Sequence, residues 1–250
     1  MMAQPLPLSG KAALVTGASR GIGAAIAREL ALRGASVMVT YRSSPQAAAQ
    51  LVESITSGGG QAQATMADSA HRSDVVDSVQ ATVDAFGGLD ILVNNAAVGG
   101  LYLLADLSDD DIEQFLSVNV RAMMLATREA LTVMPPGGRI INIGSVNADR
   151  TPIPGGSVYA ATKAAMAGFT RGLARELAPR GITVNNIQPG PVDTDLNPAT
   201  GPQAGMMLNA MALDRFGTVD EIADFVAFLA DERSGYITGA SLTIDGGFAA

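Results

Sequence analysis

The chain contains no cysteine and only one histidine, and both shortages exclude classes of chemistry. Without cysteine there are no disulfides, no thiolate metal ligands and no cysteine nucleophiles. The histidine, His71, stands in a polar stretch that offers no other metal ligands, so we expect a solvated residue at the start of a helix. No metal site is predicted.

Clusters of positive charge and long apolar runs are also missing. The formal net charge is -8, the pI is about 4.6, and no group of Lys and Arg is long enough to follow a phosphate backbone. We therefore expect no nucleic-acid partner. No apolar run reaches the length of a membrane span, and Met1–Lys11 lacks the pattern of a signal peptide. These features predict a cytoplasmic protein that binds no membrane.

Charged residues are scarce, at 16%, whereas hydrophobic residues make up 48% of the 250 residues. A chain of this length and composition can bury the core of one large α/β domain. No linker, internal repeat or low-complexity stretch divides it, so one domain is predicted over residues 1–250. The small charged fraction also indicates surface buried between subunits.

Apolar runs and helical spacing alternate along the chain. The runs predict strands at Lys11–Thr16, Ser36–Tyr41, Gln61–Met66, Leu89–Val93, Gly138–Gly144, Thr183–Gln188 and Ala240–Ile244. Helical spacing predicts helices after the first run, at Pro45–Thr56, after His71, at Ser108–Met134, around Tyr159 and at Val219–Leu229. Strands alternating with helices are typical of a parallel sheet.

Glycines follow the first strand at once, in the stretch Thr16-Gly17-Ala18-Ser19-Arg20-Gly21-Ile22-Gly23. A strand, a glycine loop and a helix in this order place a pyrophosphate at the helix N-terminus, against free N–H groups and the positive end of the dipole. Glycine permits the tight turn and a close approach of the backbone to the ligand. The spacing is Gly-x-x-x-Gly-x-Gly and not the commoner Gly-x-Gly-x-x-Gly.

The second strand ends without the carboxylate that would bind a ribose 2′-hydroxyl, because its tip reads Tyr41-Arg42-Ser43-Ser44. Arg42 and Arg20 suit a 2′-phosphate, since guanidinium binds phosphate through charge-assisted hydrogen bonds. Ser43 would add a neutral hydrogen bond. The tip therefore predicts NADP, and the alternative is that both arginines are ordinary surface residues.

Polar and small residues follow the third and fourth strands. Asp68, just after the third, either accepts a hydrogen bond from an adenine amine or caps the helix that begins near His71. The fourth strand runs into Asn94-Asn95-Ala96-Ala97, where amides and small side chains suit a close backbone approach to a ligand.

The long helix predicted over Ser108–Met134 carries an amide in its middle. It begins with Ser-Asp-Asp-Asp, a good N-terminal cap. Asn119 lies between two valines, where its side chain competes with the helix hydrogen bonds.

Pro, Gly and Met are frequent from residue 191 to about residue 215. This segment is predicted to be a mobile flap over a pocket. The alternative is a short helix with core methionines, Met206, Met207 and Met211.

Tyr159 and Lys163 lie four residues apart, on one face of a predicted helix. The apolar stripe of that helix is expected at Val158, Ala161, Ala165, Phe169 and Leu173. A phenol titrates near pH ~10, and an ammonium one turn away favours the phenolate, so Lys163 is expected to lower the pKa of Tyr159. The alternative is a half-buried tyrosine beside a solvated lysine.

Together these motifs resemble the short-chain dehydrogenase/reductase family over essentially the whole chain. The resemblance is carried by Thr16–Gly23, Asn94–Ala97, Asn119, Ser145, Tyr159-x-x-x-Lys163 and Pro189-Gly190. Ala97 departs from the usual Asn-Asn-Ala-Gly, a small change that should only tighten the backbone near the cofactor. The resemblance implies an α/β, single-domain Rossmann fold: a doubly wound, parallel, seven-stranded sheet with helices on both faces.

The resemblance also implies the roles of the site residues. Tyr159 would be the acid/base, and Lys163 would lower its pKa and hold the nicotinamide ribose. Ser145 would bind the substrate oxygen, and Asn119 would hold a water that connects Lys163 to solvent. The implied contacts with NADP(H) are Gly17, Ser19, Arg20, Gly21, Ile22, Gly23, Tyr41, Arg42, Ser43, Asp68, Ser69, Asn95, Ala96, Ala97, Tyr159, Lys163, Pro189, Gly190, Val192 and Thr194.

Within the family the chain is most similar to bacterial 3-oxoacyl-carrier-protein reductases and related carbonyl reductases, which use NADP. This implies an NADPH-dependent reduction of a ketone or 3-oxoacyl carbonyl to a secondary alcohol. A narrower similarity, over Gly144–Arg150 and Gln188–Pro202, is to a member that binds cyclic di-GMP. It implies the alternative of a nucleotide-binding regulator on the same fold.

The sequence constrains the subunit packing and the substrate less than it constrains the reaction and the cofactor. In the family the closing segment, here Ala240–Phe248, packs between subunits, which implies a homotetramer. An apolar, adaptable pocket is indicated by Met206, Met207, Leu208 and Phe216. Asp149 and Arg150 either recognise something polar or pair with each other.

Overall fold

Seven parallel strands form one sheet in the computed structural model, which describes residues 6–250. The first five residues of Met1–Lys11, where no signal peptide is expected, lie outside the described residues. The strands are β1 (Ala12–Val15), β2 (Ser36–Tyr41), β3 (Gln61–Met66), β4 (Ile91–Asn94), β5 (Arg139–Ile143), β6 (Thr183–Pro189) and β7 (Ser241–Ile244). Their order is β3-β2-β1-β4-β5-β6-β7, and every pairing is parallel.

Helices connect the strands and cover both faces of the sheet. They are α1 (Gly21–Leu32), α2 (Pro45–Ser57), α3 (Arg72–Phe86), α4 (Asp109–Leu116), α5 (Ala122–Val133), α6 (Ser157–Leu177), α7 (Ala204–Leu208) and α8 (Val219–Ala230). Successive strand residues enter two separate cores. Val15 packs on the side of α1 and α8, whereas its neighbour Leu14 packs on the side of α3, α5 and α6. The predicted doubly wound parallel sheet is confirmed.

The strand order changes direction between β1 and β4. At such a switch point the connections leave in opposite directions, which opens a crevice at the carboxyl ends of the strands. The glycine loop follows β1 and Asn95 follows β4, so both border this crevice. The topology thereby brings together motifs that are about 80 residues apart in the chain.

The helix predicted over Ser108–Met134 is not one regular α-helix. A π-helical turn at Ser117–Arg121 joins α4 to α5 and contains Asn119. Such a turn accommodates one extra residue within an α-helix. The start is as predicted, since Ser108 forms a capping box with Asp111.

The apolar stripe predicted for α6 is wrong. Ala161 is exposed, Val158, Ala165 and Phe169 are half-buried, and only Leu173 of that set is buried. The buried face carries Thr162, Lys163, Met166, Ala167, Thr170, Leu173, Ala174 and Leu177. Polar residues occupy this face because they find hydrogen-bond partners inside, which a search for apolar spacing does not detect.

The segment predicted as a flap contains α7 and otherwise irregular chain. The short helix of the alternative is present as α7, but its methionines are not core residues, since Met206 is 47% exposed and Met207 and Met211 are half-buried. Mobility of the segment stays a prediction. Across residues 6–250, no helix combines the length and the hydrophobicity that crossing a bilayer requires.

Candidate active site

The glycine loop after β1 leaves a cradle that side chains would fill. Gly17 has a φ of +62°, and a Cβ there would lie 2.8 Å from Ala96 Cα. Gly21 has a φ of +57°. A Cβ on Gly23 would lie 2.5 Å from Asn95 Nδ2. Only glycine therefore fits at these three positions. No side chain caps the start of α1, so the first N–H groups of the helix have no side-chain partner there. This donor set fits a pyrophosphate.

Side chains from neighbouring strands fix this loop. Gly17 N donates to Thr40 Oγ1 at 2.9 Å, and the N–H groups of Asn95 and Ala96 both donate to Thr16 Oγ1 at 3.0 Å. Asn95 Nδ2 donates to the carbonyls of Thr16 and Gly17, at 2.9 and 3.0 Å. Asn95 thus holds the glycine loop in place, and its effect on a bound cofactor passes through that loop. The contributions of Thr16 and Thr40 were not predicted, although a threonine at the end of a strand beside glycines is a usable signal.

The tip of β2 presents the predicted cations to solvent. Arg20 and Arg42 are exposed, as is Ser43, while Tyr41 is half-buried. Neither guanidinium forms an ion pair within residues 6–250. Two unpaired cations beside the glycine loop fit a 2′-phosphate.

Asp68 folds the turn that precedes α3. Its Oδ1 accepts from Ala70 N at 2.9 Å, and its own N–H donates to Asp74 Oδ2 at 3.0 Å. The predicted cap on α3 is therefore wrong, because His71 occupies the cap position and Asp68 bonds ahead of it. The prediction for His71 is confirmed, since its side chain is 69% exposed at the start of the helix. Ser69 lines a small cavity at the switch point together with Ala96.

The residues after β6 reach back towards the glycine loop. Gly190 packs so closely on Asp245 that a Cβ would lie 2.6 Å from its Cα. Val192 is buried, and the methyl group of Thr194 lies 3.8 Å from the position of a Cβ on Gly21. The start of the segment 191–215 therefore borders the pyrophosphate cradle.

Ser145, Tyr159 and Lys163 meet at the carboxyl end of β5. Lys163 is 2% exposed, and its Nζ donates to the carbonyl of Ile143 at 2.8 Å. The same Nζ lies 5.6 Å from the centre of the Tyr159 ring. Ser145 lies two residues after β5, and its hydroxyl is close enough to the Tyr159 hydroxyl to lower the pKa of the phenol. The alternative of a solvated lysine is wrong.

The pKa values of Tyr159 and Lys163 shift in opposite directions, and burial causes both shifts. Burial raises the pKa of the Tyr159 phenol above its ordinary value, and the hydrogen bond with Ser145 opposes this. Burial also lowers the pKa of Lys163 from 10.5 to about 8, because the charged form of a buried amine is disfavoured. The net shift of the Tyr159 pKa is therefore opposite to the predicted one, because burial dominates it, and a lowering of this pKa by Lys163 stays a prediction. A phenol with a raised pKa is protonated at neutral pH, so Tyr159 carries a proton, but it is a weaker acid than a free phenol.

Asn119 holds the loop after β4 against α6. Its Oδ1 accepts from Val98 N at 2.8 Å, and its Nδ2 donates to the Val98 carbonyl and to Thr162 Oγ1, at 2.9 and 3.0 Å. Both N–H groups of the amide are thus occupied, and Oδ1 keeps one free lone pair. A water bound by Asn119 would donate to Oδ1 or to the main-chain carbonyl.

A second amide network, not predicted from the sequence, lies deeper between the same elements. Asn94 Nδ2 donates to Asn142 Oδ1 at 2.8 Å and to Thr127 Oγ1 at 3.2 Å. Asn142 Nδ2 donates to Thr170 Oγ1 on α6 at 2.9 Å. The network fixes α5 and α6 against β4 and β5, beside the carbonyl that holds Lys163. Asn94 therefore has a structural role, and it also lines the small cavity at the switch point.

Asp149 and Arg150 do not pair. Asp149 is exposed, and Arg150 donates to the main-chain carbonyl of Phe248, with its guanidinium 5.6 Å from the centre of the Phe248 ring. Of the side chains expected to line an apolar pocket, Phe216 is buried in the protein and Met206 is exposed.

Comparison with known proteins assigns a family. A family model described as "Enoyl-(Acyl carrier protein) reductase" matches residues 17–249. The cyclic-di-GMP-binding biofilm dispersal mediator protein of Escherichia coli K12 is 47% identical over 242 residues, which cover 97% of this chain and 98% of that protein.

Solved structures give the same result. A short-chain dehydrogenase/reductase from Serratia marcescens BCRC 10948 is 52% identical, with a TM-score of 0.96 over 98% of this chain and 100% of that one. A short-chain dehydrogenase from Burkholderia cenocepacia J2315 in complex with NADP is 50% identical, with a TM-score of 0.96 and the same coverage.

Proposed function

Because the chain belongs to the short-chain dehydrogenase/reductase family, we propose that it reduces a ketone or 3-oxoacyl carbonyl to a secondary alcohol, reversibly and with NADPH in preference to NADH. It is an oxidoreductase of this family, and NADP(H) is its cofactor. The observation that supports the proposed reaction is the meeting of Ser145, Tyr159 and Lys163 beside the glycine cradle.

The cofactor, when bound, supplies or accepts the hydride. Tyr159 gives its hydroxyl proton to the carbonyl oxygen, which becomes the alcohol, and takes it back in the reverse direction. Ser145 donates a hydrogen bond to the same oxygen and orients the substrate. Lys163 places a positive charge beside the phenol while the phenolate forms, and the carbonyl of Ile143 holds that charge in place.

The backbone of Gly17–Gly23 would bind the pyrophosphate, and Arg20, Arg42 and Ser43 would bind the 2′-phosphate. Four further residues along the crevice would also contact NADP(H): Ser69, Ala97, Pro189 and Val192. Two unpaired guanidinium groups near this end of the site support the preference for NADPH.

The test is a panel of ketones, 3-oxoacyl thioesters and secondary alcohols, assayed by absorbance of the reduced nicotinamide with NADPH and with NADH. We expect turnover with NADPH and a smaller kcat/KM with NADH. If neither cofactor supports reduction of any ketone or oxidation of any alcohol, the proposed reaction is wrong.

The second candidate is a cyclic-dinucleotide-binding regulator, supported by the name of the Escherichia coli relative and its 47% identity. Gln188–Pro202 contains no lysine or arginine, and Arg150 is bonded to Phe248. The phosphates of such a ligand would therefore need cations outside these two stretches, and Arg20 and Arg42 are the ones that our proposal already assigns to the NADP phosphate. We expect any cyclic di-GMP binding measured by calorimetry to be competitive with NADPH. Calorimetry that shows no heat excludes this candidate.

A homotetramer in the cytoplasm completes the proposal. It is supported by the charged fraction of 16% and by the exposed side chains of Ser241 and Thr243 on the edge strand β7. Sedimentation at micromolar concentration tests it. A 25.5 kDa species would contradict it.

A further inference from the structure

Residues 245–249 form a tight turn at the end of the chain, here called the C-terminal turn. Asp245 closes it, accepting from Gly247 N at 2.9 Å and from Ala249 N at 2.8 Å. Phe248, in the same turn, is 5% exposed. The turn is thus ordered by its own carboxylate and anchored by a buried ring.

Three segments of the site contact this turn. Gly190, after β6, packs on Asp245 and donates from its N–H to the Ile244 carbonyl at 3.0 Å. Leu213, in the segment 191–215, donates from its N–H to the Gly246 carbonyl at 2.8 Å. Arg150 donates to the Phe248 carbonyl and lies over the Phe248 ring.

Arg150 ends the loop that begins with Ser145. Ser145 Oγ accepts from Asn147 N at 3.1 Å, and Arg150 N donates to the Val146 carbonyl at 3.0 Å. The loop is therefore one hydrogen-bonded unit, with Ser145 at one end and Arg150 at the other. Arg150 is half-buried and forms no ion pair with the carboxylates of residues 6–250. Its guanidinium contacts the Phe248 carbonyl and the Phe248 ring instead.

We propose that Arg150 is a positioning residue that couples the Ser145 loop to the segment 191–215 through the C-terminal turn. The Arg150 guanidinium binds the C-terminal turn at Phe248. The same turn binds the end of the segment 191–215 through the hydrogen bond from Leu213 to Gly246. The position of Ser145, and hence of the substrate oxygen, then depends on the same contact as the closure of the segment over the substrate. The inference rests on the proposed function for its kinetic part only.

The test compares wild type with Arg150→Met, which keeps an apolar stem and removes the donor and the charge. We expect KM for a carbonyl substrate to rise about tenfold, because the loss of one charge-assisted hydrogen bond changes an equilibrium constant by about that factor. The decrease in kcat should be smaller. The dissociation constant of NADPH should rise less than KM does, because Gly190 is the one implied cofactor contact that packs on the C-terminal turn and the glycine loop makes no contact with Arg150. Arg150→Lys should recover part of the loss, since it restores a donor without the planar group.

Hydrogen exchange gives a readout that needs no turnover. In Arg150→Met, amides of residues 204–213 and 146–150 should exchange faster, while those of the glycine loop do not change. Arg72→Met, at an exposed arginine of α3, is the matched control and should change neither. Phe248→Leu should reproduce the effect more weakly, and the double variant should be less than additive.

The outcomes are distinguishable. If exchange at 204–213 does not change, the coupling is wrong even when the protein is an active reductase. A KM within twofold of wild type, or a parallel rise in KM and in the NADPH dissociation constant, also overturns it. If no carbonyl compound is reduced, the proposed function fails and the exchange experiment still decides the coupling. Should Arg150→Met fail to fold, Arg150→Lys and Phe248→Leu supply the same comparison.

Discussion

The two sides of the crevice are built from different parts of the chain. The cofactor side, at the ends of β1, β2 and β4, is mainly backbone, fixed by Thr16, Thr40 and Asn95 through hydrogen bonds of 2.9–3.0 Å. The proposed substrate side consists of residues 98–106, which precede α4, the Ser145 loop and the segment 191–215. It exposes large apolar side chains, including Leu196 at 77% and Leu104 at 59%.

This difference explains why the reaction class is easier to infer than the substrate. A backbone cradle that excludes side chains accepts one kind of group, a phosphate. Exposed apolar loops accept many shapes, and they carry few fixed polar groups that would select one. The four predictions below test this division, beginning with the largest effect.

Tyr159→Phe should separate the two sides most clearly. It removes the proton donor on the substrate side, which typically lowers turnover by about 10² to 10⁴. The dissociation constant of NADPH, measured by fluorescence, should stay within about twofold. Tyr236→Phe, at a fully exposed tyrosine, is the control and should behave as wild type. A variant that retains half the wild-type rate would show that Tyr159 is not the acid.

The cofactor side is tested by Tyr41→Asp combined with Arg42→Ala. Losing one charge-assisted hydrogen bond should weaken NADPH about tenfold, and the new carboxylate should repel the 2′-phosphate and favour a 2′-hydroxyl. The ratio of kcat/KM for NADPH over NADH should fall by about 100-fold, with Arg72→Ala as the control. If wild type already prefers NADH, Arg20 and Arg42 are ordinary surface charges.

Lys163 gives a stability test of the substrate side. Its folded-state pKa, about 8, lies below the 10.5 of the unfolded chain, so between these values the unfolded chain binds more protons. Stability therefore rises with pH across this window. Relative to Lys163→Met, the wild-type free energy of unfolding in urea should increase by about 2 kcal/mol from pH 7 to 9.5. Parallel curves for the two proteins would show that Lys163 is not held in a desolvated site.

The smallest of the four expected effects is at Gly99, where a substitution should affect one class of ketone more than another. A Cβ at this position would lie 3.5 Å from Cε2 of Tyr159, an ordinary contact, and the φ of Gly99 is not positive. Gly99→Val should therefore fold and narrow the space beside the phenol. We expect kcat/KM for aryl ketones to fall about tenfold more than for acetone. Gly88→Val, in open space, is the control, and an equal loss on both ketones would place Gly99 outside the substrate site.

Much of the fold follows from the sequence because strands and glycines are local signals. The bounds of β2 and β3 were predicted to the residue, and the switch point follows from the order of the motifs. Buried polar contacts were not predictable. Thr162, Thr170 and Asn142 lie on faces that apolar spacing assigns to solvent or leaves undefined. Their side-chain partners are 28 to 48 residues away.

The candidate site shows the same limit. Tyr159 and Lys163 are adjacent because they share a helix face, which spacing predicts. The direction of the shift in the Tyr159 pKa was not predicted correctly, because the shift depends on burial by residues distant in sequence. The bond from Arg150 to Phe248 spans 98 positions, and no local pattern indicates it.

The π-helical turn at Ser117–Arg121 has a consequence for how this helix can change over evolutionary time. One residue corresponds to about 100° of rotation in an α-helix, so α4 and α5 are out of phase by that angle. Loss of a single residue here would bring the two halves into one phase and turn Asn119 away from Val98 and Thr162. We therefore expect length, even more than residue identity, to be the property under selection at this turn.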